Sequence, residues 1–139
     1  MIVRLLSLAT VMLSLTGCGG EPAYVGPKRI PLSGKVTLDG APLSGGTISF
    51  LAIGKGNPAG GQITAGTYSI PEEQGANAGS HRVEIRWSKP TGEKVKDADT
   101  GGMIDVFKEA VPAKFNEQSE LKAEVSADKK TFDFDLSSK

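Results

Sequence analysis

The sequence predicts an all-β domain, a sandwich of two packed sheets built from seven short strands. Three observations predict it. Among 139 residues there are 18 glycines and 8 prolines, a profile that punctuates strands with turns and costs stability inside helices. The stretch Ser80 to Ser88 alternates strictly, with His81, Val83, Ile85 and Trp87 on one side and Arg82, Glu84 and Arg86 on the other, the pattern of a sheet wet on one face and packed on the other. Turn dipeptides, Asp39-Gly40 and Ala65-Gly66, fall between alternating runs. A helix would spread the charges of these runs around its circumference and leave no apolar stripe.

The elements follow in order. In Gly34 to Leu38, Val36 and Leu38 face one way and Lys35 and Thr37 the other. After the Asp39-Gly40 turn, Ala41-Pro42-Leu43 extends the connection, and Thr47 to Ile53 places Ile48, Phe50 and Ala52 on one face. Residues 54–61 read as a loop; Gln62 to Thr64 and Thr67 to Ile70 read as a short hairpin; residues 71–78 read as loop again. Beyond the 80–88 strand, Lys89 to Val111 is expected to be a long connection, pinned to the body by Met103, Ile104, Val106 and Phe107. Pro112 cannot donate to a ladder, so a turn or short helical piece is expected near Ala113 to Glu117. Leu121, Ala123 and Val125, then Phe132, Phe134 and Leu136, are the inward residues of the last two strands. Facing pairs of such sheets bury one face each.

Composition bounds the rest. The length suits a single domain, and 38% apolar residues allow a modest core. Sixteen basic and sixteen acidic residues balance, so no net field steers the chain toward nucleic acid. A single cysteine, Cys18, excludes an intrachain disulfide or a thiolate zinc site and must be explained by its position.

That position follows a short start carrying Arg4 and an apolar run from Leu5 to Leu15. Eleven residues span roughly 16 Å as a helix, too short for a hydrocarbon core of about 30 Å, which describes a signal peptide and not a membrane span. Leu15-Thr16-Gly17-Cys18 resembles the lipobox of bacterial lipoprotein precursors. The resemblance implies cleavage between Gly17 and Cys18, removal of residues 1–17, and acylation of the Cys18 sulfur, a palmitate-type anchor. Two or three acyl chains, at about 0.8 kcal/mol per buried CH₂, hold a protein durably on a membrane. Gly19 in place of Asp after the cysteine points to the outer membrane. Residues 18–31 hold three further prolines and three glycines after the cysteine, a composition that forbids regular structure and reads as a tether. The folded body is then 32–139.

Leu32-Ser33-Gly34-Lys35-Val36-Thr37-Leu38-Asp39-Gly40-Ala41-Pro42-Leu43, followed by Gly46 to Phe50, resembles the opening of carboxypeptidase regulatory-like domains: a Gly-x-Val strand, a Gly-x-Pro-Leu turn and an apolar strand. Gly66-Thr67-Tyr68 matches their later Gly-x-Tyr, and Gly79 matches a further glycine. The likeness covers residues 31–88. It implies a seven-stranded transthyretin-like (prealbumin-type, Ig-like) Greek-key β-sandwich that works as a non-catalytic module, such as short, uncharacterized bacterial lipoproteins carry. Ala65 departs from the pattern, where an Asp is common, and the 89–111 stretch is long for a sandwich connection.

No residue set amounts to a catalytic site. His81 is the one histidine, which excludes multi-histidine zinc sites, and it reads as a core or rim residue. No Gly-x-Ser-x-Gly elbow occurs, and the paired histidines and C-terminal Tyr-Arg-Gly-Ser of transthyretin-like enzymes are missing. Asp97 and Asp99, with Asp105 nearby, offer carboxylates in a glycine-bearing loop, yet Thr100 and Gly101 stand where a calcium loop needs further ligands. Asp133 and Asp135, near Lys129 and Lys130, read as a solvated edge. No cofactor and no metal are expected. The expected function is that of a lipid-anchored, non-enzymatic cell-envelope module with a structural or protein-interaction role, meeting the membrane and an envelope protein or glycan. The alternative is a ligand-binding lipoprotein that captures a peptide or glycan through its 54–61 and 89–111 loops.

Overall fold

The computed structural model describes residues 26–139. Gly17, Cys18 and the signal peptide lie outside these residues, as does most of the tether. The described chain is mostly strand. In order run β1 (Leu32–Leu38), β2 (Ala41–Pro42), β3 (Thr47–Ala52), β4 (Ala59–Thr64), β5 (Thr67–Ile70), β6 (Gly79–Arg86), β7 (Ser88–Lys96), β8 (Met103–Glu109), β9 (Lys122–Val125) and β10 (Phe134–Leu136). Short 3-10 turns occupy Glu72–Gln74 and Ala113–Phe115, the latter where Pro112 predicts it. No described helix is long and apolar enough to cross a membrane.

One continuous ladder runs β10-β1-β5-β4-β3-β6-β9, with β2 folded back on β1. Every pairing is antiparallel except β1 with β10. Two strands turn the corner between layers. β1 pairs with β5 over Leu32 to Lys35 and with β10 over Val36 to Leu38. β4 pairs with β3 through Ala59 to Gln62 and with β5 through Ile63 and Thr64. Gly60 and Gly61 sit at that second corner, where a Cβ on Gly61 would come within 2.9 Å of the Ile70 side chain; glycine lets two backbones pass closely there.

The ladder therefore curls over itself into a sandwich-like body. Phe50 of β3 sits at the middle of the core, its ring centroid 6.0 Å from Tyr68, 6.2 Å from Phe132 and 6.4 Å from Phe134. Ile48, Val83, Ile85, Val125 and Leu136 complete it, all on the inward faces that the alternation predicts. Leu121 and Phe115 pack against it from the rim. Both predicted turns form: Asp39 and Gly40 have φ of 53° and 83°, and Ala65 and Gly66 have 50° and 77°, the two consecutive left-handed residues of a tight two-residue hairpin.

Three expectations fail. The strand count exceeds seven, because β2 pairs for only two residues and because residues 89–111 are a hairpin, not a loop. β7 and β8 form a separate two-stranded sheet, and Met103, Ile104 and Phe107 are exposed on it instead of packing down. Their alternation with charges reflects a ribbon outside the core. Trp87, expected inward, is only partly buried and packs at the rim, since it lies at the point where β6 leaves the body. There Lys89 stacks over its ring, 4.8 Å from the centroid.

Candidate functional site

The two loops proposed as a joint binding mouth lie at opposite poles. Asn77, just before β6, is buried; its Oδ1 accepts the Asn57 N–H at 2.9 Å, and its Nδ2 donates to the carbonyls of Pro27 and Lys28. Ile30 bridges Ala76 beside it. The chain's entry and the 54–58 loop are thus tied together at the start of β6. The β7–β8 hairpin leaves from the other end, after Arg86, with eight residues of β6 between, roughly 25 Å at about 3.3 Å per residue. Tyr68 is buried, with its hydroxyl donated to the Phe132 carbonyl. No mouth joins the two loops.

His81 is buried on the inward face, opposite Ala52 and Ala123. Its Nδ1 lies 3.0 Å from the Gly79 carbonyl and its Nε2 meets no partner. It is a core residue with neither nucleophile nor carboxylate beside it in these contacts. Asp97 spends Oδ1 on its own turn, accepting from the N–H groups of Asp99 and Thr100 and from the Thr100 hydroxyl; the Thr100 bonds hold its carboxyl below the ordinary carboxylate range. Among the described residues no group of three or more potential ligands gathers around a metal-sized space. Asp133 and Asp135 are not merely solvated: Asp133 accepts the Lys35 N–H at 2.8 Å and Asp135 accepts the Thr37 hydroxyl at 2.7 Å, fastening the last strand to the first.

The feature that remains is the hairpin arm. Of the five large apolar side chains exposed among the described residues, four are on it: Val95, Met103, Ile104 and Phe107. Its register aligns Pro90 with Phe107, Lys94 with Asp105, Val95 with Ile104 and Lys96 with Met103. Alternation then gives two faces. One carries Pro90, Lys94, Lys96, Met103, Asp105 and Phe107; the other carries Lys89, Val95, Ile104, Val106 and Lys108. Lys94 and Asp105 form an ion pair at 3.2 Å, exposed and worth little by itself. The root is fixed by Glu109, whose carboxylate accepts the N–H groups of Trp87 at 2.8 Å and Val111 at 3.0 Å. The sequence shows these apolar residues but not their exposure, because a hairpin alternates whether or not a core lies beneath it.

A second surface lies on the outer face of β3, β6 and β9. A cleft of about 710 Å³ is lined by Leu51, Ile53, Arg82, Ser119, Glu120 and Lys122. Arg82 and Lys122 stand directly opposite each other across β6 and β9, a like-charge pairing that Glu84, 2.6 Å from Arg82, offsets on one side only.

No family model matches the chain, and no curated protein and no solved structure matches it.

Proposed function

We propose that this chain is a lipid-anchored, non-enzymatic module of the bacterial cell envelope, a β-sandwich that holds a docking arm away from its membrane. The observation that carries the reading is the concentration of exposed apolar side chains on β7 and β8. A monomeric surface rarely gathers such residues without a partner, and an isolated two-stranded ribbon is marginal in water. The anchoring half of the reading rests on the lipobox-like Leu15-Thr16-Gly17-Cys18 and the apolar run before it. It puts the body on the extracytoplasmic side, with Gly19 pointing to the outer membrane.

The finer fold belongs to the same reading: a carboxypeptidase regulatory-like domain with transthyretin-like Greek-key topology. Support comes from two of the motif glycines, Gly34 and Gly66, which stand where a side chain would not fit. A Cβ on Gly34 would come within 1.9 Å of the Phe132 carbonyl oxygen, and one on Gly66 within 2.5 Å of Pro42.

Metabolic labelling with a fatty acid tests the anchor. Wild type takes up label and partitions into membranes, and Cys18→Ala does neither. Equal labelling of the two would sink the proposal.

A second reading, capture of an anionic peptide or glycan, is favoured by Arg82 and Lys122 above the apolar floor of Leu51 and Ile53. Titration with a short acidic peptide, read by chemical shifts at these four residues, decides it; shifts absent at millimolar peptide exclude it.

A further inference from the structure

We infer that the arm's occupant is the arm of a second copy of this chain, packed face to face about a twofold axis that runs along the strands. The inference builds on the membrane-anchored reading, which sets how strong the pairing becomes.

The argument begins with charge. Rotation about an axis parallel to the strands preserves height along the arm and exchanges the two strands, so β7 of one copy lies over β8 of the other. Outside the register shift between Pro90 and Lys94, each residue of β7 then meets the second copy of its own register partner. On the Phe107 face, Lys94 meets Asp105 and Pro90 meets Phe107, twice over by symmetry. An exposed ion pair becomes a closed ring of four alternating charges flanked by two proline–aromatic contacts. On the opposite face the same operation sets Lys89 over Lys108, a repulsion. That face also sets Val95 over Ile104, but only the Phe107 face pairs opposite charges. It also carries the two most exposed apolar side chains of the arm, Met103 at 61% and Phe107 at 58%.

Direction agrees with this. The chain enters the body at one pole, where Asn77 holds Pro27 and Lys28, and the arm leaves from the other. Two copies anchored on one membrane therefore raise their arms the same way, which is the arrangement that an axis along the strands produces. Antiparallel edge-to-edge joining would need the copies to point at each other.

Area sets the strength. One face of a seven-residue, two-stranded ribbon measures roughly 23 Å by 10 Å, well short of the about 800 Å² per partner of a stable complex. The pairing is weak between free molecules. Confinement of both copies to one membrane raises their effective concentration, where a weak contact fills.

The test uses the full chain, recovered from bacterial membranes as an equal mixture of unlabelled and ¹⁵N-labelled protein and reconstituted in neutral phosphatidylcholine vesicles. Zero-length carbodiimide coupling should join Lys94 to Asp105, with mixed-isotope linked peptides marking links between copies. Phe107→Ser should lower the mixed link at least tenfold and leave the same-isotope link, which reports a folded arm. Lys94→Glu and Asp105→Lys should each abolish energy transfer between dye-labelled copies, and mixing the two variants should restore it. Same-isotope links alone, or mixed links indifferent to Phe107→Ser, overturn the inference. So does a monomeric chain whose arm is sunk in lipid or covered by another envelope protein. Mass analysis of Cys18 is read separately. If it carries no acyl chain, the anchor fails, and Cys18→Ala at several hundred micromolar in solution still shows whether the arms pair.

Discussion

The hydroxyl of Tyr68 donates to the main-chain oxygen of Phe132 at 2.7 Å, joining residues 64 positions apart inside the core. Burial pushes the phenol far above its ordinary value of 10.0, and the nearby Asp133 carboxylate pushes the same way, only partly opposed by this hydrogen bond. In the unfolded chain the phenol ionises near 10; in the folded body it stays neutral to much higher pH. Its contribution to stability is complete below pH 10 and is lost as pH rises through the range above it. The expected decline is about 1.4 kcal/mol per pH unit. Chemical denaturation between pH 9 and 11.5 should show Tyr68→Phe less stable at neutral pH, by about 1–2 kcal/mol, but with a shallower alkaline slope. Parallel slopes for the two proteins would contradict the assignment.

The same carbonyl limits Gly34. A methyl group there would collide with the Phe132 oxygen at 1.9 Å and with the Tyr68 ring at 2.9 Å. Gly40 has a left-handed φ of 83° but open space around it. Gly34→Ala is expected to cost about 3 kcal/mol or more, by displacing the Phe132 carbonyl and its hydrogen bond to Tyr68, while Gly40→Ala costs about 1–2 kcal/mol from backbone strain alone. Thermal melts of the two variants should rank them in that order.

Ala65 sits at φ 50°, a conformation that costs an ordinary L-residue energy and suits Asn or Asp better. Ala65→Asn should stabilise the protein by about 0.5–1 kcal/mol, seen as a raised midpoint in urea with an unchanged slope.

Phenylalanines separate body from arm. Phe50→Ala removes the ring at the centre of three aromatic contacts and should cost about 3–5 kcal/mol. Phe107→Ser, on the exposed arm, should change the stability of the monomeric body by no more than about 0.5 kcal/mol. A large loss at Phe107 would mean that the arm is part of the core.

Alternation at 80–88 and at Phe132, Phe134 and Leu136, with turns at Asp39-Gly40 and Ala65-Gly66, made most of the body legible from sequence. Each is a local signal whose meaning does not depend on distant residues. The arm was not legible, because Val95, Ile104 and Phe107 have the composition of core strands and only the tertiary arrangement leaves nothing on top of them. Trp87 misled for a related reason: it continues the inward face of β6 one position past the place where the body ends. The roles of Asp133 and Asp135 were hidden because their partners, Lys35 and Thr37, stand 98 residues away.

The parallel pairing of β1 with β10 has a consequence for biogenesis. β1 waits for β10: Val36 through Leu38 find their neighbours Phe134 through Leu136 only 98 residues later. A growing chain lacks the strand that closes its core until those residues have emerged, so early closure is opposed by connectivity itself.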